Sequence, residues 1–459
     1  MWNLKILNTD KPFYKSIADA IERDIQCGVL KPGDRMPTHR QLAKTIGVDI
    51  TTVTRAYQEA EKRGIVTATV GKGTFITSDL GRNSSLVDTA DTVKSGNIEM
   101  GLVLPLYSAE PDIRPVLSEI VGRKDLNGLM RYTPPQGLYK HRKIAAGWIR
   151  QFGVDASADQ VIITAGSQHA IDCIFSSLFQ PGDHIAVDCL TYPGVKTVAK
   201  QHGIQLDAVA MDRNGMLPDD LEAICSHSDI RGIYTMSRMQ NPTNSVMSGQ
   251  RREEIARIVK RRNLVLVEDD IYGFLSSGSA PLASLIPENS VFICGISKAL
   301  YAGLRTSFLS APERYCYRIS QAVVDTVWMA PTLNAEIACE CISSGVAEKI
   351  IQAKLEKIKI RANLLSETFS GFRFDYEPNS MFAWLRLPDC WSSDSFEQAA
   401  NRFGVTVYAS DKFAVGGFVP PNCVRVSLTG ADILSDFQRG LEILRKLLNS
   451  EMGEAAGIL

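Results

Sequence analysis

From residue 98 onward, short apolar runs alternate with helical patterns along most of this 459-residue chain. The runs at 161–163, 185–187, 264–267 and 291–294 each lead into polar or charged side chains. Apolar strands that alternate with helices predict α/β layers around a mainly parallel sheet. We therefore expect a large α/β body in which several strands end in groups that can do chemistry.

Residues 294–305 contain a lysine that follows a serine, and an arginine seven residues after the lysine. Lys298 follows a buried strand and is well placed to form a Schiff base with an aldehyde, because partial burial lowers the pKa of its amine. The Ser297 hydroxyl and the Arg305 guanidinium have the chemistry to hold a phosphate. An amine, a phosphate clamp and a partner for a ring nitrogen are what pyridoxal 5'-phosphate (PLP) requires. The alternative is an ordinary surface lysine in a loop.

Two further stretches supply groups for the phosphate and the ring of such a cofactor. A Gly-Ser turn after the run at 161–163 opens a helix, and the N–H groups of Ser167 and Gln168 would face a phosphate there. Tyr192 follows the run at 185–187, and its ring is suited to stack on a planar cofactor. Each stretch is weak evidence alone, but their order in an α/β setting favours a PLP site.

Polar residues after two other strands complete the set. Asn241, in an Asn-Pro-Thr-Asn turn, has an amide that can donate to the phenolate oxygen of the cofactor. Asp269 ends a buried strand and can pair with the pyridinium nitrogen, which makes the ring an electron sink. Tyr272, three residues later, can share the phenolate oxygen with Asn241. Taken separately, the Asn-Pro-Thr-Asn stretch is often an ordinary turn, and the acidic residues around Asp269 are often a solvated strand end.

The first 77 residues carry three helical patterns and one hairpin pattern. Apolar residues recur every four positions from Phe13 to Ile25, a capping box joins Thr38 to Gln41, and Asp49 can cap the third helix. The third helix separates an apolar side from a polar side; the apolar positions are Val53, Ala56, Tyr57 and Ala60, the polar ones are Thr51, Arg55, Gln58 and Lys62, and Thr52 lies at the border. Such a polar face suits major-groove reading. The alternative is a three-helix domain with a solvated face.

Charge and cysteine content bound the partners and the compartment. Residues 1–77 carry 12 Lys+Arg against 8 Asp+Glu, and the rest of the chain carries 38 against 43. A basic head on an acidic body favours a polyanion partner for the head. The ten cysteines include no CxxC pair, and the lone CxC at Cys339 and Cys341 predicts core packing, so we expect a reducing compartment and no metal site. Without a signal-peptide pattern or a membrane span, we expect a cytoplasmic protein with no membrane partner.

Residues 14–76 resemble the winged helix-turn-helix of the GntR family of bacterial regulators. The matching pieces are the stretches 30–40, 42–43, 47–48, 52–53, 56–57 and 71–75. Two alternating runs within 65–76 flank Gly71-Lys72-Gly73 and predict a hairpin with a basic tip. The resemblance implies a set of DNA-contacting residues: Arg35, Thr38 and Arg40 near the second helix, Thr51, Thr52 and Arg55 in the major groove, and Lys72 and Gly73 in the minor groove. Asp49 and Ile50 stand where many relatives have Ser-Arg, which would remove one basic contact.

Residues 98–449 resemble a fold-type I, class I/II aminotransferase. The resemblance implies catalytic roles for Lys298 as the Schiff-base lysine, Asp269 as the partner of the ring nitrogen and Tyr272 at the 3'-oxygen. It implies that the cofactor is bound by these three residues together with Asn241, Tyr192, Ser167, Gln168, Ser297, Arg305 and, from the partner subunit, a tyrosine matching Tyr132. Arg425 and Asn241 would bind the substrate, Arg425 through its α-carboxylate. Gly295 is a departure, because relatives usually have Ser or Thr there.

A GntR head at 1–77, a flexible linker at 78–97 and an aminotransferase-like body at 98–459 resemble the MocR subfamily of regulators. The resemblance implies a homodimeric regulator that binds operator DNA through its head and senses PLP, an amino-acid or amine effector, or both, through its body. It also implies that each head lies over the partner's body. The alternatives are an active aminotransferase of an amino acid with an autoregulatory head, and a body that serves only as a dimerisation scaffold.

Overall fold

A computed structural model describes residues 12–26, 29–30, 33–69, 73–77, 96–276 and 278–450. Residues 78–95 of the predicted linker and Lys72 of the predicted hairpin tip lie outside this part of the chain. The head consists of α1 (Phe13–Gln26), α2 (His39–Ile46), α3 (Ile50–Lys62), β1 (Val66–Thr69) and β2 (Gly73–Ile76). The two strands pair antiparallel, as the alternating pattern predicted.

Local signals explain where the helices of the head begin and end. Thr38 and Gln41 form the predicted capping box at the start of α2, and Gly47 ends that helix with φ of +69°. The apolar side of α3 is buried and its polar side is exposed, as predicted. Asp49 does occupy the position before α3, but its side chain makes no capping hydrogen bond. The capping role predicted for Asp49 was therefore wrong.

The first strand described after the predicted linker begins at Ile98. The first half of the body contains β3 (Ile98–Glu99), α4 (Arg114–Val121), α5 (Tyr139–Gln151), β4 (Val161–Thr164), α6 (Ser167–Leu178), β5 (His184–Asp188), α7 (Pro193–Gln201), β6 (Gln205–Val209), β7 (Met211–Asp212), β8 (Gly215–Met216), α8 (Pro218–His227), β9 (Ile230–Thr235) and α9 (Gly249–Arg262). Its second half contains β10 (Val265–Asp269), β11 (Ser290–Gly295), β12 (Ser307–Ser310), α10 (Glu313–Val327), α11 (Thr332–Ser343), α12 (Val346–Thr368), β13 (Phe374–Asp375), β14 (Phe382–Arg386), α13 (Ser393–Arg402), β15 (Val405–Thr406), β16 (Tyr408–Ala409), β17 (Cys423–Ser427) and α14 (Leu434–Asn449).

A seven-stranded sheet forms the centre of the body, in the order β4-β12-β11-β10-β9-β5-β6. Only β12 runs antiparallel to its two neighbours, β11 and β4; the remaining pairs are parallel. The sheet is therefore mixed but mostly parallel, which confirms the α/β prediction. Because β9, β10 and β11 are adjacent and parallel, the segments that follow them emerge at one edge of the sheet.

A second sheet, β13-β14-β17-β16, is antiparallel and packs with α14 around its own apolar core. The long helix α12 joins the two halves of the body, because Ile350 lies in the core beside the large sheet and Leu365 in the core beside the small one. The short strand β3 pairs with β15 in a separate two-stranded sheet. Ile98 and Val405 of this pair lie in the apolar core of the small sheet.

Candidate cofactor and DNA-binding sites

Lys298 lies three residues beyond the end of β11 and is half-buried. Its Nζ donates a hydrogen bond to the backbone carbonyl of Val103. Desolvation, together with the smaller effects of the nearby cations of Arg425, Arg305 and Lys354, lowers the pKa of the amine to about 8. A neutral amine is therefore accessible near physiological pH, as nucleophilic attack on an aldehyde requires.

Asp269 ends β10, directly beside β11, and is buried. The hydroxyl of Tyr234 donates to its Oδ2 at 2.8 Å, whereas its Oδ1 is buried and has no hydrogen-bond partner among the described residues. Burial raises the pKa of the carboxyl group to about 7, and the Tyr234 bond opposes the rise. A buried oxygen without a donor is unfavourable, and the N–H of a protonated pyridine ring would satisfy it. This oxygen fits PLP.

The predicted phosphate-binding residues meet at the start of α6. Gly166 precedes this helix with φ of +91°, and a Cβ there would lie 2.5 Å from Nη2 of Arg305, so the guanidinium lies directly against the turn. Nη1 of Arg305 also contacts Oγ of Ser297 at 3.4 Å. The first N–H groups of a helix have no partner within the helix and attract anions. Arg305 and Ser297 therefore lie beside the first turn of α6, which contains Ser167 and Gln168.

Gly295 replaces a hydroxyl residue of relatives, and its surroundings explain why. A Cβ at this position would lie 2.4 Å from Oγ of Ser167 and 2.7 Å from Cγ2 of Ile271. The Ser167 hydroxyl occupies that space instead, and its Oγ lies 3.3 Å from Oγ of Ser307. Ser307 reaches this position because β12 pairs with β11, which the sequence does not reveal.

The two aromatic residues predicted at the cofactor ring occupy different environments. The hydroxyl of Tyr192 donates to Oε1 of Gln168 at 3.1 Å, which links the predicted stacking ring to the start of α6. Tyr272 is buried, with its ring centroid 5.4 Å from that of Phe382. Burial raises the pKa of both hydroxyls above the usual value, so both stay protonated and can donate.

Arg425 on β17 is a buried cation whose hydrogen bonds are all to neutral groups. Its Nη1 donates to Oδ1 of Asn241 and its Nη2 to the carbonyl of Gly101, both at 2.6 Å, while its Nε has no partner in the described part of the chain. Three aromatic rings, those of Phe382, Tyr408 and Phe413, lie 4.8–5.7 Å from the guanidinium carbon. Burial lowers the pKa of this guanidinium and the nearby Glu99 opposes that shift, but no described acidic residue forms an ion pair with it. A buried guanidinium without an ion pair suits a carboxylate ligand. Since Oδ1 of Asn241 already accepts, its NH₂ group remains the donor for a cofactor oxygen.

Tyr132 does not enter the site of its own chain. Its side chain is 83% exposed, and its only ring neighbour among the described residues is Trp328, at a centroid distance of 6.0 Å. Both rings belong to an exposed apolar surface that also includes Met130 and Val327. This position is compatible with the predicted contact to a partner subunit.

Sequence reasoning missed three residues that support the site: Tyr234, Ser307 and Lys354. Tyr234 lies on β9 and Ser307 on β12, so each reaches the site only because its strand is a neighbour in the folded sheet. Lys354 is fully buried in α12 and donates to the carbonyls of Lys298 and Leu300 at 3.1 and 2.7 Å. A lysine on the apolar side of a predicted helix was the one available signal, since buried lysines are rare.

The predicted DNA-contacting residues of the head lie on its outer surface. Arg35, Thr38, Arg40, Thr51 and Arg55 are exposed and Thr52 is half-buried. The side chain of Thr38 also caps α2, and the Arg35 guanidinium lies close to Gly73, where a Cβ would be 3.0 Å from its Nε. Exposed basic and hydroxyl residues on the second helix of a helix-turn-helix suit contact with DNA.

Comparisons with known proteins agree with this architecture. The family described as aminotransferase class I and II matches residues 103–433, and the bacterial regulatory proteins of the gntR family match residues 13–76. An uncharacterized HTH-type transcriptional regulator of Bacillus subtilis, YdeF, is 34% identical over 98% of this chain and 97% of its own. A 2-aminoadipate transaminase of Thermus thermophilus is 27% identical over 66% of this chain and 78% of its own.

A solved structure of α-aminoadipate aminotransferase from Thermus thermophilus, complexed with N-(5'-phosphopyridoxyl)-L-leucine, matches with a TM-score of 0.71 at 23% identity. The match covers 88% of this chain and 100% of that one, which shows the shared fold. No helix in the described part of the chain is long and apolar enough to cross a membrane. The chain thus belongs to the class I and II aminotransferase family through its PLP-binding body and, with its GntR-family DNA-binding head, has the architecture of the MocR transcription regulators.

Proposed function

We propose that this regulator takes up PLP on Lys298 and an amino compound beside Arg425, and that this occupancy changes how its head binds operator DNA. Residues 1–77 form the DNA-binding unit, residues 78–97 the linker and residues 98–459 the sensing body, acting in the cytoplasm. The observation that carries the proposal is the buried Oδ1 of Asp269, which lacks a donor at the ring-nitrogen position of a site that also contains a reactive lysine.

Each residue of the site contributes one step of binding. Bound PLP supplies an aldehyde that reacts with amines and a ring that stabilises negative charge at the carbon next to the amine nitrogen. Asp269 would keep the ring nitrogen protonated, Tyr192 would stack on the ring, and Tyr272 and Asn241 would donate to its 3'-oxygen. Ser167, Gln168, Ser297 and Arg305 would hold the phosphate, and Lys298 would release the cofactor to an incoming amine.

The effector class follows from Arg425. A planar guanidinium that lies within aromatic rings and forms no ion pair with a described residue binds a carboxylate in a two-point geometry. An amine that replaces Lys298 and a carboxylate that pairs with Arg425 together describe an amino acid. An amino acid shifts the conformational equilibrium of the body only if it binds one conformation of the body more tightly than another.

The direct test of the cofactor site is covalent trapping. PLP added to the purified protein should give a yellow species, and borohydride reduction should attach the cofactor to Lys298, identified by mass spectrometry. Lys298→Ala should remain folded and lose the attachment. Lys359→Ala, which changes an exposed lysine of α12, should behave like the wild type. A wild-type protein that never takes up PLP would refute the proposal.

We further propose a two-fold homodimer in which Tyr132 reaches the phosphate of the partner subunit. The exposed surface of Met130, Tyr132, Val327 and Trp328 supports this assembly, because such apolar patches mark interaction sites. Each head would lie over the partner's body, and a 20-residue flexible linker spans roughly 25 Å on average. Sedimentation that found a monomer at micromolar concentration with PLP bound would exclude both the dimer and the role of Tyr132.

A further inference from the structure

Residues 101–110, which we call the arm, contact both ends of the proposed ligand site. The carbonyl of Val103 accepts the hydrogen bond from Nζ of Lys298, and the carbonyl of Gly101 accepts one from Nη2 of Arg425 at 2.6 Å. The two acceptors are therefore two residues apart on one stretch of backbone. The arm starts two residues after β3, the first strand that follows the predicted linker.

The far end of the arm is fixed to the body. Oε1 of Glu110 accepts a hydrogen bond from the fully buried Nζ of Lys354 at 3.1 Å, and the same ammonium group holds the carbonyls beside Lys298. Ser108 donates its N–H to Oδ1 of Asp432 at 3.0 Å and accepts at its carbonyl from Nζ of Lys357 at 2.7 Å. Lys354 bonds the backbone carbonyl of Lys298, not its Nζ, so we expect the far end to stay in place when the amine captures a ligand.

The near end of the arm follows Met100, whose N–H donates to the carbonyl of Thr406 at 2.9 Å and whose carbonyl accepts from the N–H of Ser427 at 2.6 Å. The Glu99 side chain holds the next two residues. Oε1 of Glu99 accepts hydrogen bonds from the N–H groups of Gly101 and Leu102, both at 2.7 Å. Gly101 also passes so close to the ring of Tyr408 that a Cβ would lie 2.7 Å from it. The position of the Gly101 carbonyl thus depends on Glu99, on Tyr408 and on the guanidinium of Arg425.

We propose that the arm positions Lys298 and Arg425 before ligands bind, moves at its near end when they are captured, and so reports occupancy to the linker of the DNA-binding head. This inference rests on the proposed function. When the Lys298 amine adds to the cofactor aldehyde, a C=N bond forms and the aldehyde oxygen leaves as water, so the nitrogen keeps at most one N–H. A ligand carboxylate that binds Arg425 competes with the Gly101 carbonyl for the N–H groups of Nη2.

Capture leaves the Lys298 nitrogen with fewer N–H donors for Val103 and draws Nη2 of Arg425 away from Gly101, so both captures weaken donors to carbonyls of the same arm. A buried carbonyl without a donor is unfavourable, so the near end gains by rearranging towards new donors while Glu110 stays fixed by Lys354. The displacement falls between residues 99 and 103, directly beside the place where the linker enters the body. Ligand capture by Lys298 and by Arg425 therefore influences the head through the same short segment of backbone.

Hydrogen exchange of the full-length protein, with and without PLP alone, tests the movement. Exchange in peptides covering residues 99–106 should become faster on PLP binding, whereas exchange at residues 108–112 should not change. Cofactor-free Lys298→Ala lacks the donor to Val103 and should already show the faster exchange, with no further change on adding PLP. Unchanged exchange at 99–106 in the wild type, while the peptide containing Lys298 becomes protected, would overturn the inference.

A pair of variants tests the link to DNA. Glu99→Ala releases the near end and should abolish the PLP-dependent change in operator affinity, which for coupled sites is typically about 5–150-fold. Glu99→Gln keeps an acceptor oxygen for both N–H groups and should retain the change. A full PLP response in folded, PLP-binding Glu99→Ala would contradict the arm's role. If PLP does not change the operator affinity of the wild type, the proposed function is wrong. The hydrogen-exchange experiment then still shows whether the arm moves when PLP binds.

Discussion

Replacing Asp269 by asparagine should stabilise the cofactor-free protein and weaken PLP binding. The ordinary pKa of this carboxyl is 3.8, and burial raises it to about 7 in the folded protein. Three pKa units correspond to about 4 kcal/mol of free energy lost when the buried group ionises. Asparagine removes that loss and keeps an acceptor for the Tyr234 hydroxyl, but it leaves a buried NH₂ group whose desolvation costs about 1–3 kcal/mol. The net gain at pH 8 is therefore about 1–3 kcal/mol.

The sign of the pH dependence follows from the direction of the shift. Between about pH 4 and pH 7 the folded state retains a proton that the unfolded state has lost, so wild-type stability falls as the pH rises through this window. The gain from Asp269→Asn should be full above pH 7 and absent near pH 4. Urea unfolding of the cofactor-free proteins at pH 5 and pH 8, followed by tryptophan fluorescence, measures it. An equal difference between the two proteins at both pH values would refute the reasoning.

Asp188 provides a matched control. It is a buried carboxyl at the end of β5, its Oδ2 accepts from Thr235 at 2.9 Å, and burial raises its pKa to about 7 as well. No role in PLP binding is proposed for it. Asp188→Asn should therefore show a similar pH-dependent gain in stability with unchanged affinity for PLP, whereas Asp269→Asn should lose affinity. Equal effects of the two variants on PLP binding would exclude a specific role for Asp269.

Further predictions concern the phosphate cradle and the head. Gly295→Ser should weaken PLP binding, because its Cβ meets the Ser167 hydroxyl and overpacking costs about 1–3 kcal/mol; a fluorescence titration that found tighter binding would contradict this. Thr52→Ala and Arg55→Ala should each cost about 1–3 kcal/mol more on the operator than on random DNA, measured by anisotropy. Arg40→Ala should weaken binding to both DNAs and reduce the salt dependence, and a loss confined to the operator would argue against phosphate contact.

The elements that carry the site were predictable because each follows a local pattern. The apolar run before Asp269 and the one before Cys294 predicted β10 and β11, and their parallel pairing brings Asp269 to the same edge as Lys298. In the head, the alternation of buried and exposed positions along α3 follows directly from its helical period. These features depend on neighbours in the chain, which the sequence displays.

The remaining features depend on contacts between distant segments. Tyr234 bonds to Asp269 across 35 positions, and Lys354 reaches the carbonyl of Lys298 across 56. The crowding at Gly295 arises because the first turn of α6 lies against the end of β11, and nothing local to either segment indicates it. Strand order and helix packing decide these contacts, and periodicity alone carries no information about them.

The central claim is that PLP captured by Lys298 changes operator binding. Affinity of the full-length protein for its own upstream DNA should be measured with and without PLP, and with PLP plus a panel of L-amino acids, for the wild type and for Lys298→Ala. We expect ligands to shift the operator affinity of the wild type and to leave that of Lys298→Ala unchanged, while both proteins bind DNA in the absence of PLP. Identical responses of the two proteins to PLP, or operator affinity that no ligand alters, would contradict it.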